Sequence, residues 1–355
     1  MANASCRRES ILTFTLCNLS IVNKTLGSLL KILIPIGVGI YLVVHIYAQL
    51  DQDQRNTLFT ALRKANYWFV GLSFLIGLLS HYIRAYRWNF QLEAMGRQIS
   101  NFNGFLAVMI GYIVNLVLPR VGEASRAAAI TKYEGVPFDK SFGSILSERA
   151  LDFVLLLLIS LLTLVLQYSV LQPVADQLLS SISGRASSFI LWTMLIVAVL
   201  VGTLAIKALD RFKHIPVVHK AWELKEGILE GLRSIFKMKR RVSYLIATLA
   251  IWACYIAMFW VCFFAIPETG HLGPDAVSAS FVVGSLAIII IPGGIGAFPV
   301  GIMQALMLYG IAGETGFALG WIIWFSQTSM IVIFGGLSML LIPIVNRSSN
   351  ARVKT

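Results

Sequence analysis

Apolar stretches of the length a membrane-spanning helix needs, about 20 residues, recur along the chain. They lie at residues 28–48, 67–83, 151–170, 188–206, 243–266 and 317–345. Two further apolar stretches are interrupted. Residues 102–118 run into Pro119-Arg120-Val121-Gly122-Glu123, and residues 276–291 run into Pro292-Gly293-Gly294 before resuming over 295–309. Proline and glycine at those points stop a helix. The pattern predicts an all-α integral membrane protein with six full spans and two broken segments.

Composition agrees. Of the 355 residues 57% are hydrophobic and 13% charged, with a mean hydropathy of +0.78. Soluble domains are about 45–50% apolar and about 25% charged. The net charge of +12 comes from 29 Lys and Arg against 17 Asp and Glu. Its placement points to cytoplasmic loop bias rather than nucleic acid. Residues 207–241 carry ten Lys and Arg against four Asp and Glu, and both ends of the chain are basic. All three regions are expected on the cytoplasmic side. That is consistent only if each broken segment returns to the side it entered. The prediction is therefore two re-entrant hairpins, the first opening from the cytoplasm and the second from outside, in an inverted-repeat architecture. Two ordinary kinked helices are the alternative.

The expected organisation is an interfacial or disordered leader over 1–27, one polytopic domain over 28–345 with halves 28–170 and 188–345, and a cytoplasmic tail over 346–355. Within it, 216–241 reads as an amphipathic helix, either lying on the membrane or packed as a connector. Cys6, Cys17, Cys254 and Cys262 show no paired spacing, so neither a disulfide framework nor a zinc site is expected.

Charges inside apolar segments are costly and should pair. The sequence offers Asn115, Arg120, Glu123 and Arg126, followed by Glu148, Arg149 and Asp152. Glu148 and Asp152 are four apart and share a helix face, which is unfavourable unless a cation lies between them. The hairpin arginines are the expected cations, because a guanidinium grips a carboxylate with two parallel bonds. Helix restarts after Pro119 and Gly294 would turn free N–H groups and a positive dipole end toward a phosphate. Gly293, Gly294 and Gly296 would let backbone approach it. His81, Arg84 and Arg87 stand at the end of the second span, either as part of the entrance to the site or, as Arg84 and Arg87 read first, as cytoplasmic anchors that snorkel. A structural ion-pair network that pins the hairpin is the competing account.

These same residues, with Pro292-Gly293-Gly294-Ile295-Gly296, resemble the transmembrane domain of lysylphosphatidylglycerol synthases, the flippase-like integral membrane family, from about residue 28 to about 345. The resemblance implies a lipid translocator of the bacterial cytoplasmic (inner) membrane, with Asn115, Arg120, Glu123, Arg126, Glu148, Arg149, Asp152, Gly293, Gly294 and Gly296 at the substrate site. Its implied partner is a membrane lipid: an anionic or aminoacylated phospholipid, or another polar-headed one. Two departures stand out. No soluble aminoacyl-transfer domain is expected after Thr355, and so no synthase activity. The family usually has a glutamate where this chain has Pro299, so a cationic headgroup is not assured of a carboxylate in the second half.

Rival classes remain. Glu148 and Asp152 could hold a metal in a membrane enzyme, but no nucleophile set, His cluster or nucleotide-binding motif accompanies them. An accessory subunit of a lipid or glycan synthesis complex, or a homodimer, is also compatible. No nucleic-acid partner, catalytic residue, metal or cofactor is expected.

Overall fold

A computed structural model describes residues 37–170, 172 and 238–347. Among them all regular structure is helical. The helices are α1 (Gly37–Gln49), α2 (Gln52–Lys64), α3 (Tyr67–Ala94), α4 (Asn101–Val117), α5 (Gly122–Glu134), α6 (Phe138–Leu166), α7 (Arg241–Val261), α8 (Pro274–Ile290), α9 (Ala297–Met307) and α10 (Gly313–Val345). Four are long and apolar enough to cross a membrane: α3, α6, α7 with its 3-10 extension to Ala265, and α10. Large apolar side chains such as Leu157, Leu161, Leu249 and Leu340 stand exposed on them, as a lipid-facing surface requires. The protein is a multi-pass membrane protein. The expected span at 188–206, the first nine residues of 28–48, the leader, the basic loop as far as residue 237 and the tail beyond Arg347 lie outside the described residues.

Helices outrun the apolar stretches that announced them. The expected 67–83 continues to Ala94, and the expected 151–170 begins at Phe138. Charged side chains are tolerated there because their partners are inside the bundle.

Both broken segments are helical hairpins. α4 and α5 fold against each other with Gly111 facing Gly122, where a Cβ on Gly111 would lie 3.0 Å from the Gly122 carbonyl oxygen. α8 and α9 do the same, with Gly284 against Phe298 and Gly301 against Val283. The turn of the second uses three glycines in the left-handed region, Gly293, Gly294 and Gly296, at φ of 77°, 65° and 72°. The turn of the first does so with Arg120, at φ 69°.

The two halves repeat one order of lengths. α3 to α6 have 28, 17, 13 and 29 residues, and α7 to α10 have 21, 17, 11 and 33. The first members run antiparallel: Ser73 donates to the Met258 carbonyl at 2.7 Å, and Gln91 to the Tyr244 hydroxyl at 3.1 Å. α4 packs on α10, and its counterpart α8 packs on α6. Antiparallel first members with exchanged partners are what an inverted repeat requires.

The tips meet. A Cβ on Gly293 would lie 3.7 Å from Leu116 Cδ1, just before the first break. Trp324 of α10 holds the second tip by donating to the Gly293 carbonyl at 2.8 Å. α1 closes over Gly296 through Gly39, leaving no room for a Cβ on either glycine. At the base of the first hairpin, buried Asn103 and Asn346 exchange both amide donors at 2.9 Å, and Asn103 also donates to Glu134.

Candidate functional site

The buried face of α3 supplies the site. His81, Arg84, Arg87, Trp88 and Gln91 recur at three- and four-residue spacing and are all within 4% exposure, so one stripe of the helix points inward. Opposite them, α6 presents Glu148 and Asp152. Arg84 pairs with Glu148 and with Asp152 Oδ2 at 2.9 Å. Arg87 reaches Glu148 Oε1 at 3.1 Å and Asp152 Oδ1 at 3.2 Å. From α5, Arg126 takes Glu148 Oε2 at 3.1 Å. One buried carboxylate thus serves three guanidiniums.

Uncharged groups hold the arginines in place. Arg84 Nη2 donates to the Tyr255 hydroxyl at 2.8 Å and Arg87 Nη1 to Thr248 Oγ1 at 3.0 Å. Arg126 lies over Trp88, its Cζ 3.9 Å from the ring centroid, a cation–π contact. The Trp88 indole donates to Ser144 Oγ at 2.7 Å. A second, wetter pair sits closer to the first break: Arg149 Nε is 3.3 Å from Glu123 Oε1, with side chains 39% and 19% exposed. Asn115 ties this pair to the turn. It donates to Glu123 Oε1 at 3.1 Å and accepts the Gly122 N–H at 2.8 Å.

Six of the expected residues come together: Asn115, Glu123, Arg126, Glu148, Arg149 and Asp152. Arg120 does not. Its left-handed backbone turns it out at the tip, where it is exposed and makes no ion pair among the described residues. The glycines lie at the other tip. Gly293 lies nearest the first hairpin, where its added Cβ would meet Leu116, and Gly296 is covered by α1. The second helix start also offers few free donors. The Ala297 N–H already bonds the Ile295 carbonyl at 2.8 Å, and Pro299 has none.

Arg84 and Arg87 are the correction to the sequence reading. They are not surface anchors: they are the cations between Glu148 and Asp152, at 2% and 0% exposure. The trace they leave in the sequence is spacing, since His81, Arg84, Trp88 and Gln91 form a polar stripe on an otherwise apolar helix.

The balance of charge changes with them. Arg84, Arg87, Arg126 and Arg149 face Glu123, Glu148 and Asp152, so among the described residues four guanidiniums meet three carboxylates and one positive charge is in excess. The Nε donors of Arg84, Arg87 and Arg126, and Nδ1 of His81, are buried without a hydrogen-bond partner. His81 stacks near Tyr112, ring centroids 4.4 Å apart. Beside these groups a narrow cleft runs between α4, α5 and α6, lined by Tyr112, Asn115, Glu123, Arg126 and Arg149, with room for about one water molecule. Both carboxylates that might have held a metal are occupied by guanidiniums, and no group of three His, Cys, Asp or Glu gathers among the described residues.

The family described as the lysylphosphatidylglycerol synthase TM region matches residues 32–335. A UPF0104 membrane protein of Methanocaldococcus jannaschii is 30% identical over 133 residues, which are 37% of this chain and 38% of that protein. The match therefore spans less than half of that relative's length. No solved structure matches the chain.

Proposed function

The chain belongs to the lysylphosphatidylglycerol synthase transmembrane family, and from that premise we propose that it is a non-enzymatic lipid translocator of the cytoplasmic membrane, carrying a polar-headed lipid between leaflets. The observation that carries this reading is the buried Arg84–Arg87–Arg126–Glu148–Asp152 cluster beside a broken helix. A headgroup crossing hydrocarbon loses its water at a cost of several kcal/mol per charge. Preset donors that need no reorganisation replace that water. The tails need no such help and remain in lipid.

Translocation then requires that the cleft beside Arg126 open to one side and later the other. The two hairpin tips, in contact at Leu116 and Gly293, are the elements whose alternate displacement would do so. Arg120, at the exposed first tip, is suited to meet the incoming headgroup. Asn115 keeps the tip folded by capping Gly122.

Reconstitution tests the reading. Vesicles holding the purified protein and a tail-labelled fluorescent phospholipid are treated with an impermeant reductant. Wild-type protein should expose the inner-leaflet label, and Arg126→Ala should abolish this while the protein still reconstitutes. Inner-leaflet label as protected as in protein-free vesicles would refute translocation and favour an accessory subunit.

A further inference from the structure

The charge count of the site bears on which lipid it takes. Among the described residues, the charged side chains facing the cluster are Arg84 and Arg87 from α3, Glu123 and Arg126 from α5, and Glu148, Arg149 and Asp152 from α6. α4 contributes Tyr112 and Asn115, and α7 contributes Tyr244, Thr248 and Tyr255, all uncharged. With His81 as neutral imidazole the site is one positive charge in excess. Three of its arginines are at most 3% exposed, and each keeps a buried Nε–H without a partner.

We propose that this site selects a phosphodiester headgroup carrying one net negative charge and no cation, and turns away zwitterionic and aminoacylated headgroups. The inference rests on the translocator reading for movement, but not for binding. An uncompensated buried charge is costly, and a ligand of one negative charge removes it. A zwitterionic head adds no net charge and leaves the excess in place. An aminoacylated head with a net positive charge raises it. A phosphomonoester, at about −1.5 to −2 at neutral pH, carries it past neutrality. The donors suit the same ligand: non-bridging phosphate oxygens accept, and the arginine Nε–H groups here are vacant, while Asp152 Oδ2, the carboxylate oxygen of the cluster without a hydrogen bond, already faces Arg84 at 2.9 Å. The carboxylates of the cluster are already engaged, Glu148 by three arginines, Asp152 by Arg84 and Arg87, and Glu123 by Arg149 and Asn115, so each already has a cationic partner before an ammonium arrives.

Glu123 and Arg149 provide the handle. They are partly exposed, so neutralising either one should cost little stability while moving the charge of the site by one. Purified protein is offered an equimolar mixture of chain-matched phosphatidylglycerol, phosphatidylethanolamine, lysyl-phosphatidylglycerol and phosphatidic acid, and retained lipid is read by native mass spectrometry. Wild type should retain phosphatidylglycerol at least tenfold over the zwitterionic and lysylated lipids. Glu123→Gln should shift the order toward phosphatidic acid, and Arg149→Gln toward phosphatidylethanolamine. The double variant Glu123→Gln/Arg149→Gln has lost the ion pair but kept the excess charge, so it should regain the wild-type order. Equal retention of all four lipids, retention of none, or an order that ignores the variants overturns the proposal. Movement in vesicles is scored separately. Selective binding without movement sinks the translocator reading alone, and movement without charge selectivity sinks the charge inference alone.

Discussion

Neutralising Glu148 is the most demanding test of the cluster. Glu148 is fully buried and pairs with Arg84, Arg87 and Arg126. At an effective dielectric of about 20, one pair at about 4 Å is worth roughly 4 kcal/mol. Its own desolvation offsets much of that in the native protein, but Glu148→Gln removes the attraction and leaves three guanidiniums buried. Removing one member of a buried pair typically costs about 3–5 kcal/mol, and the loss here should reach that range. Glu123→Gln breaks a pair of similar geometry, 3.3 Å, in a wetter place, and should cost about 1 kcal/mol or less. Reversible unfolding in mixed micelles, titrated with denaturing detergent, reads both. Adding Arg84→Gln to Glu148→Gln should restore part of the loss, because one stranded charge goes with it. Equal destabilisation by Glu148→Gln and Glu123→Gln would refute the argument, as would no recovery in the double variant.

Arg120→Gly should raise stability by about 1 kcal/mol, since a non-glycine residue at φ 69° is strained, yet slow translocation by removing the exposed guanidinium; unfolding and vesicle assays on one preparation would separate the two effects. Gly320→Val should destabilise strongly, because a Cβ there meets Pro299 Cα at 2.6 Å, and a normal thermal unfolding profile would contradict it. Trp324→Phe should loosen the second tip by removing its bond to Gly293, read as faster hydrogen exchange around Gly294. Single cysteines should label from outside at Glu268 and from inside at Lys225, and external labelling at Lys225 would overturn the charge-parity topology.

The sequence displays its breaks more openly than its pairings. Pro119 and the Pro292-Gly293-Gly294 run announce both hairpins because helix-stopping chemistry is local. The like-charged Glu148 and Asp152 announce that a cation must intervene, and two do, Arg84 and Arg87. Which cations they are depends on α3 crossing α6, a contact 64 residues distant in the chain between Arg84 and Glu148. Arg84 and Arg87 follow an apolar run, where arginines usually reach back to the surface. Nothing local distinguishes that position from a buried one except the stripe from His81 to Gln91. Arg120 misleads in the opposite way. It is three residues from Glu123, but the turn that brings the hairpin back also points it outward.

The reciprocal amide pair of Asn103 and Asn346, with Glu134, has a mechanical consequence. It rivets the root of the first hairpin to the end of the last helix, while the far end is held by the partly exposed Glu123–Arg149 pair and by apolar contact such as Leu116 against Gly293. A displacement of the hairpin is then a pivot about its root and not a slide. α4 has 17 residues, a lever of about 25 Å at about 1.5 Å per residue, so a swing of about 10° carries its tip roughly 4 Å. That is more than a water's width, delivered to a cleft that now admits about one water. The amide pair is the fulcrum, and Asn103→Leu would leave the lever without one.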